Sequence, residues 1–270
     1  MNSKSRQKRF YDRRYESLQR ASNKLSSLPF VFYDRRLIEM MLKAAKNGFV
    51  DSVLDVGTGQ GTDAILMLKN AHNVVAIDIS SHALITANTL SRAKSEGKNI
   101  SFVLGDAEHL PIREDAFDVV YCKDLLHHVS DSLLAVSEMK RVAKTGGSVV
   151  AIEANAYNPQ MIAIGLMYFS VDRGVFGNKK EKLASLFFQS GLFDVNITET
   201  EFLPRHMLFE YRSPLAKILN VNSLTFLKIL EKVERWWQRR AALVRFSNYL
   251  VVTGIKKKEA IRSSQYLQCS

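Results

Sequence analysis

Three acidic residues stand at the ends of three successive apolar runs in the first half of the chain. They are Asp55, Asp78 and Asp106. Short apolar runs are typical of parallel strands, and ligands of open α/β sheets bind beyond the carboxyl ends of such strands. The three carboxylates are therefore predicted to meet at one edge of a sheet, where they could hold a ligand that carries positive charge and hydroxyl groups.

A glycine-rich turn follows the first acid and predicts close approach of the backbone to that ligand. Residues 57–61 read Gly-Thr-Gly-Gln-Gly, and Gly57, Gly59 and Gly61 permit a tight turn. The spacing differs from the Gly-x-Gly-x-x-Gly of dinucleotide sites, and Asp55 would repel a pyrophosphate. S-adenosylmethionine, which carries a sulfonium and an ammonium group, fits better. A glycine turn without a ligand is the alternative.

The second and third acids extend the same interpretation. Asp78 lies 21 positions after Gly57, and an acid about 20 residues beyond such a loop can accept hydrogen bonds from ribose hydroxyls. Ile79 offers an apolar face to an adenine, and Asp106 could accept a hydrogen bond from the adenine amino group. A solvated loop would explain one such acid, but it does not readily explain three in succession.

Five segments within residues 50–155 together resemble the class I S-adenosylmethionine-dependent methyltransferases, in particular the small-molecule group with the ubiquinone and menaquinone enzymes. They read DVGTGQG, AIDIS, GDAEHLPI, FDVVYCKDLLHHV and LLAVSEMKRVAKTGGSVVAIEAN. The resemblance implies an α/β fold, with a Rossmann-like, seven-stranded, mostly parallel sheet, helices on both faces, an antiparallel last strand and a helical lid. Residues 245–256 match the last strand, and residues 193–199 match the one before it.

The resemblance also implies a role for each residue of a cofactor site. The expected S-adenosylmethionine-binding residues are Asp55, Gly57, Thr58, Gly59, Gly61, Asp78, Ile79, Asp106, Ala107 and Lys123. The loop and Lys123 would lie at the methionine part, and Asp55 would orient its ammonium through water or backbone. Asp78 would hold the ribose, and Asp106 with Ala107 would frame the adenine. Many relatives carry Glu where Asp78 stands, so this shorter side chain would need a small shift or a water.

Methyl transfer requires that the acceptor atom be held in line with the sulfur and that water be excluded. A base is needed only if the acceptor must lose a proton. His127 and His128 follow the fourth apolar run, and either could serve as that base near neutral pH. Asp124 and Glu153 are weaker candidates. No metal site is predicted, because the histidines lack the carboxylate or thiolate pattern of one.

Charge is distributed unevenly along the 270 residues, whose formal net charge is +11. Residues 1–50 carry 12 basic and 4 acidic side chains, residues 51–150 carry 9 and 13, and residues 151–270 carry 17 and 10. Basic flanks around an acidic core suggest an anionic substrate, a membrane surface or a nucleic acid, with solvated faces as the alternative. Two distant cysteines predict no disulfide framework, and the charged N-terminus predicts no signal peptide.

Three parts are predicted along the chain. A basic N-terminal helical extension at residues 1–48 precedes the methyltransferase domain at 49–256, and a polar tail follows at 257–270. The domain is expected to carry substrate-side insertions at about 154–178 and 202–240. The basic, aromatic helix of the extension could lie on anionic lipid or pack over the cofactor cleft.

A helix within the second insertion is predicted to act as a lid. Leu230, Val233 and Trp237 share one face and should pack inward, whereas Trp236 should be free to meet substrate or a membrane. Packing of the apolar face against the sheet, without a lid function, is the alternative.

The sequence therefore predicts methyl transfer from S-adenosylmethionine to oxygen or carbon of a small-molecule or lipid-like acceptor. A cytoplasmic location is expected, with peripheral contact at an anionic membrane as a further option. An RNA methyltransferase is one alternative, suggested only by the basic flanks, so nucleic acid is a disfavoured partner. A non-catalytic cofactor-binding subunit that supports a partner protein is the other. The acceptor and the oligomeric state are left open.

Overall fold

The computed structural model describes residues 8–10, 12–13, 36–42, 50–94, 100–167, 173–201 and 223–258. Seven strands in this part of the chain form one sheet in the order β3-β2-β1-β4-β5-β7-β6. They are β1 (Val50–Val56), β2 (Ala71–Asp78), β3 (Ile100–Leu104), β4 (Phe117–Lys123), β5 (Ala143–Ala154), β6 (Phe193–Thr200) and β7 (Tyr249–Ile255). β7 runs antiparallel to both of its neighbours, β5 and β6, and the other pairs of neighbouring strands are parallel. The predicted Rossmann-like sheet with an antiparallel last strand is confirmed.

Helices cover both faces of this sheet. They are α1 (Thr62–Met67), α2 (Ser81–Lys94), α3 (Ser132–Val142), α4 (Pro159–Met167), α5 (Lys180–Gln189), α6 (Leu224–Gln238) and α7 (Ala241–Val244), with a 3-10 helix at Arg173–Gly177. Residues 36–42 are also helical. No helix within the described ranges is both long enough and apolar enough to cross a lipid bilayer.

Each face of the sheet has its own hydrophobic core, because neighbouring residues of a strand point to opposite faces. Val53 of β1 packs in one core with Met67 of α1. Its neighbour Leu54 packs in the other core with Met139 of α3 and Phe187 of α5. All five side chains are fully buried. Burial on both faces is the reason that the central strands read as continuous apolar runs in the sequence.

Several predicted segments lie partly outside the described residues. These include much of the N-terminal extension (1–48), most of the C-terminal tail (257–270) and residues 202–222 of the second insertion. Their boundaries stay predictions. The helix expected at the end of that insertion is present as α6, in which Leu230 is buried and Trp236 is 48% exposed.

Two asparagines after β5 fasten the chain segment that leads into β7. The Nδ2 group of Asn155 donates to the carbonyl oxygens of Arg245 and Ser247, both at 2.9 Å. The Nδ2 group of Asn158 donates to the carbonyl oxygen of Phe246 at 2.6 Å. Both asparagines are buried, and the bond to the Ser247 carbonyl oxygen is buried as well, so that oxygen is satisfied within the protein. These bonds fix the carboxyl end of β5 against the start of β7.

We expect Asn158→Ala to destabilise the fold by on the order of 2–4 kcal/mol. Besides its carbonyl partners, the Asn158 Oδ1 atom accepts the backbone N–H groups of Gln160 and Met161 at 2.9 and 3.1 Å, which caps α4. The matched control is Gln189→Ala, because Gln189 is exposed and bonds only to Ser185 one turn earlier. Thermal melts should show a clearly lower melting temperature for Asn158→Ala and no such change for Gln189→Ala. Equal melting temperatures for the two variants would contradict a stabilising role of the Asn158 hydrogen bonds.

Candidate cofactor and acceptor site

The loop after β1 passes through left-handed backbone at each of its glycines, with φ of 78° at Gly57, 55° at Gly59 and 74° at Gly61. A Cβ atom at Gly61 would lie 2.9 Å from the Cβ atom of Ala87 in α2, which is closer than real side chains approach. The backbone N–H of Gly57 donates to the carbonyl oxygen of Ile77 at 2.8 Å. Glycine is thus required both by the turn and by the helix packed behind it.

At the end of β2, the carboxylate of Asp78 holds two chain segments together. Its Oδ2 atom accepts the backbone N–H of Gly59, and its Oδ1 atom accepts that of Ser80, both at 2.8 Å. Each carboxylate oxygen can accept a further hydrogen bond, so a ribose hydroxyl could bind without displacing either donor. Ile79 follows and is 38% exposed, which leaves its side chain accessible to a ligand.

At the end of β3, Asp106 and Glu108 link successive loops of the same edge. Asp106 accepts the backbone N–H of Glu108 at 3.0 Å, and Ala107 between them is buried. The Glu108 carboxylate accepts the N–H groups of Ser130 and Asp131, at 2.6 and 3.0 Å, just before α3 begins. Glu108 was not predicted from the sequence, because a lone acid in a loop is usually solvated.

Asp55 is a buried carboxylate at the carboxyl end of β1. It is 3% exposed, and its Oδ2 atom accepts a hydrogen bond from Thr58 Oγ1 at 2.7 Å. Burial, reinforced by the negative charges of Asp63 and Asp78, raises the pKa of Asp55 to about 7, against the opposing effect of the Thr58 bond. A cationic group nearby would favour the ionised carboxylate. The arrangement therefore suits a ligand with a positive charge.

Lys123 ends β4 at the same edge and forms an ion pair with α1. Its Nζ atom lies 3.1 Å from Asp63 Oδ2, with both side chains mostly buried. Asp63 was not singled out in the sequence, although it stands in the first turn of the helix that follows the glycine loop. The structure brings Lys123 to the loop through this aspartate.

One described piece of the N-terminal extension also lies at this edge. The Oγ atom of Ser80 donates to Asp12 Oδ1, and His82 Nδ1 lies 3.5 Å from the same oxygen. Ser80 is the residue whose backbone N–H binds Asp78. Asp12 therefore contacts a residue that is itself bonded to Asp78, the carboxylate predicted to hold the ribose.

Glu153, near the end of β5, is the centre of a buried polar network. Its Oε1 atom accepts the backbone N–H groups of Leu125 and Leu126 at 2.9 and 2.6 Å. Its Oε2 atom lies 2.6 Å from His127 Nδ1 and accepts from Asn178 Nδ2 at 3.0 Å. Four donors satisfy a carboxylate that has no exposed surface. Asn178 had no signal in the sequence that linked it to this site.

The two histidines differ in their surroundings. His127 has a side chain that is 4% exposed, and the backbone of Gly174 packs on it so closely that a Cβ there would lie 2.2 Å from the His127 carbonyl oxygen. The His128 ring is half-buried, with its centroid 3.9 Å from that of His127. Asp124, three residues before His127 in the same loop, accepts a hydrogen bond from the Tyr249 hydroxyl at 3.3 Å. All four predicted acid–base candidates thus lie at the carboxyl edge of β4 and β5.

Comparison with known proteins identifies similar sequences over the cofactor half. The family described as a methyltransferase domain matches residues 54–151. A demethylmenaquinone methyltransferase of Staphylococcus haemolyticus is 31% identical over 168 residues, which are 53% of this chain and 69% of that protein. The uncharacterized methyltransferase YcgJ of Bacillus subtilis is 30% identical over 46% of this chain and 48% of its own length. This chain thus spans about half of the latter relative.

A further relative and two solved structures extend the comparison. A ubiquinone biosynthesis O-methyltransferase of Aliivibrio fischeri is 33% identical over 42% of this chain and 47% of that protein. The crystal structure of Bacillus YcgJ superposes with a TM-score of 0.58 at 19% identity, over 83% of this chain and 99% of that one. Geranyl diphosphate C-methyltransferase of Streptomyces coelicolor gives 0.55 at 14% identity, over 82% and 77%. At these identities the structures show a shared fold.

The raised pKa of Asp55 predicts a pH dependence of stability. The folded protein binds this proton more tightly than the unfolded chain does, so the contribution is favourable at low pH and is lost as the pH rises toward about 7. Asp55→Asn cannot ionise. The free energy of unfolding of the variant, measured by calorimetry relative to the unmodified protein, should therefore rise by on the order of 1–4 kcal/mol between about pH 4.5 and about pH 8.

Asp51→Asn is the matched control, since Asp51 lies on the same strand and is exposed. Its difference from the unmodified protein should be the same at both pH values. If the difference in free energy of unfolding for Asp55→Asn is also the same at both pH values, burial does not destabilise the ionised Asp55 carboxylate.

Proposed function

Because the chain belongs to the class I S-adenosylmethionine-dependent methyltransferases, we propose that it transfers a methyl group to oxygen or carbon of a small or lipid-like acceptor. The observation that carries the proposal is the buried pairing of His127 with Glu153 at the edge where Asp55 and Asp78 also lie. A cofactor edge and a proton acceptor are thereby adjacent. The names of the quinone-related relatives support an apolar acceptor with a hydroxyl group or an activated carbon.

The residues present fit S-adenosylmethionine. When bound, this cofactor supplies an electrophilic methyl group on a sulfonium. The proposed binding residues are Asp55, Gly57, Thr58, Gly59, Gly61, Asp78, Ile79, Asp106, Ala107 and Lys123. Three left-handed glycines leave room for close approach, and the environment of Asp55 favours a cation over a pyrophosphate. Asp78 would receive ribose hydroxyls while its carboxylate continues to hold the loop and the start of α2.

We assign proton removal to the histidine pair. Because a carboxylate oxygen accepts hydrogen bonds, the 2.6 Å contact of Glu153 Oε2 with His127 Nδ1 favours the tautomer with its proton on Nδ1, which would leave a lone pair on Nε2. The buried carboxylate would also stabilise the imidazole once it has accepted a proton. His128, half-buried beside it, is the second candidate for contact with the acceptor. A phenolic or enolic hydroxyl is the group that such a base serves best.

The surrounding segments would shape the acceptor side. Within the predicted insertion at 154–178, Asn178 fixes Glu153, and Gly174 lets the 3-10 helix pack on the histidine loop. The predicted insertion at 202–240, which includes α6, would complete the cover. We further propose peripheral contact with an anionic membrane, where lipid-like acceptors partition.

Transfer of the labelled methyl group tests the acceptor class directly. With labelled S-adenosylmethionine, we expect a prenylated hydroquinone or catechol to be methylated, and the same compound with all its hydroxyls already methylated to remain unlabelled. Label that appears in RNA and in none of the phenols would refute the proposal.

Asp78→Ala should weaken cofactor binding by on the order of 1–3 kcal/mol, since a charge-assisted hydrogen bond is removed.

The role of the histidine–carboxylate pair is tested by pH–rate profiles. His127→Ala should lower kcat by about 10²–10⁴. Glu153→Gln should move the acidic limb of the profile to lower pH, because the neutral amide no longer stabilises protonated imidazole. Asn178→Ala is the matched control, since it removes another hydrogen bond to Glu153 but keeps the carboxylate. If Glu153→Gln lowers kcat and leaves the profile in place, the pair is only structural.

A further inference from the structure

We propose that the exposed face of helix α6 (Leu224–Gln238) docks on the surface of an anionic lipid membrane. The inference rests on the proposed function and deepens it, because it names the place where a lipid-like acceptor would be met. It is carried by the charges and apolar side chains on the outer face of the helix, and by the position of the helix at the edge of the sheet that bears the candidate site.

The inner face of α6 is fixed to the body of the protein. Leu230 and Glu234 are buried on it. The indole Nε1 of Trp237 donates to Ser247 Oγ at 3.2 Å, and Gln238 Nε2 donates to the carbonyl oxygen of Glu199 at 3.2 Å. Because these contacts hold the inner face against the protein, the opposite face of α6 points outward.

A stripe of cations runs along the outer face. Lys228, Lys232, Arg235 and Arg239 follow one another at spacings of four, three and four residues, which aligns them on one side of a helix. All four are exposed. The exposed acid beside them is Glu231, whose Oε1 atom lies 3.1 Å from Arg235 Nη1. The outer face therefore keeps a net positive charge.

Apolar side chains flank the cation stripe. Ile229 and Trp236 lie seven residues apart on the same side of the helix, and they are 54% and 48% exposed. The guanidinium of Arg240 lies 3.8 Å from the centre of the Trp236 ring, which is a cation–π contact. Leu224, at the start of the helix, is 73% exposed. Cations next to an indole and aliphatic groups are typical of helices that lie in a membrane interface.

The docking face lies at the edge of the sheet that carries the candidate site. Tyr249, the first residue of β7, pairs with Ala154 of β5 on one side and with Thr200 of β6 on the other. The bond from Gln238 to Glu199 thus places the carboxyl end of α6 at the carboxyl end of β6, with β7 between it and the carboxyl end of β5. A membrane-bound α6 would bring that edge close to the lipid surface.

A second basic and aromatic group lies in the loop that precedes β7, near the candidate site. The guanidinium of Arg245 lies 5.8 Å from the ring centre of Tyr157 and 5.1 Å from that of Phe246. Both rings are partly exposed, at 39% and 38%. Asn155, two residues after Glu153, binds the Arg245 carbonyl oxygen. This loop is therefore bound directly to the chain segment that leaves the buried carboxylate.

An anionic membrane explains this composition better than a nucleic acid does. Phosphodiesters would be satisfied by the cation stripe alone, and exposed Ile229 and Leu224 would gain nothing from them. Lipid headgroups attract the cations, and the upper acyl region takes the apolar side chains. Each cation near such a surface strengthens binding by about fivefold.

Co-sedimentation of the full chain with vesicles tests the docking face. We expect binding to vesicles that contain phosphatidylglycerol and much weaker binding to pure phosphatidylcholine. Lys228→Glu/Lys232→Glu should reduce the first by at least about 25-fold, from the loss of two cations. The matched control is Lys69→Glu/Arg113→Glu, which makes the same charge change at exposed residues before β2 and β4, at the opposite edge. The binding of this control variant to the phosphatidylglycerol vesicles should stay within a few-fold of that of the unmodified protein.

Tryptophan fluorescence supplies a second measurement, because the chain has two tryptophans and both lie in α6. Trp237→Phe leaves Trp236 as the reporter, and its emission should shift to the blue and become shielded from an aqueous quencher when vesicles are added. Trp236→Phe leaves the half-buried Trp237, whose emission should not change.

The outcomes separate this proposal from the proposed function. Vesicle binding needs no acceptor, and S-adenosylhomocysteine binding measured on the same variants checks that they are folded. Loss of vesicle binding with retained S-adenosylhomocysteine binding supports the docking face, whether or not an acceptor is methylated. Equal binding by both double variants would overturn it. Tighter binding of single-stranded RNA than of phosphatidylglycerol vesicles would also overturn it.

Discussion

The carboxyl edge of the sheet depends on one constraint, which is that buried carboxylates must find hydrogen-bond donors. Asp78 finds them in the backbone N–H groups of Gly59 and Ser80. Glu108 uses those before α3, and Glu153 uses those after β4. Each carboxylate therefore organises a loop that lies away from it in sequence. The loops that would hold cofactor and acceptor are therefore positioned by hydrogen bonds to carboxylates, in addition to the apolar packing of residues such as Leu125 and Leu126.

Asp55 departs from this pattern and shows what the edge is suited to bind. Its hydrogen bond from Thr58 does not offset burial and the neighbouring acids, so its ordinary ionised form is disfavoured. A cationic ligand would reverse that balance by pairing with the carboxylate. Lys123 is engaged with Asp63, which also limits the positive charge available to an anionic ligand. The electrostatics of the edge and the shape of the glycine loop therefore favour the same kind of cofactor.

The acceptor side is built differently, from contacts between distant segments. Asn155 and Asn158 bind the chain before β7, and Asn178 binds Glu153. Ser247, whose carbonyl oxygen binds Asn155, also accepts the indole N–H of Trp237 through its hydroxyl group. This bond and that of Gln238 hold the inner face of α6, while its outer face is cationic and partly apolar. The proposed membrane contact and the proposed base are thus parts of one framework at one edge of the sheet.

Local patterns in the sequence determined strands β1 to β5, the glycine loop and the placement of Asp55, Asp78 and Asp106 at strand ends. The last two strands and the antiparallel direction of β7 were predicted from the family resemblance. Strand burial and left-handed turns constrain residue types over a few positions, so they can be read without the fold. The tertiary structure alone decided that Glu153 pairs with His127, that Lys123 pairs with Asp63, and that Asn178 joins the first pair. Those contacts join residues 25–60 positions apart. No periodicity encodes them, because they depend on which strands become neighbours and on which side chains burial leaves in need of a partner.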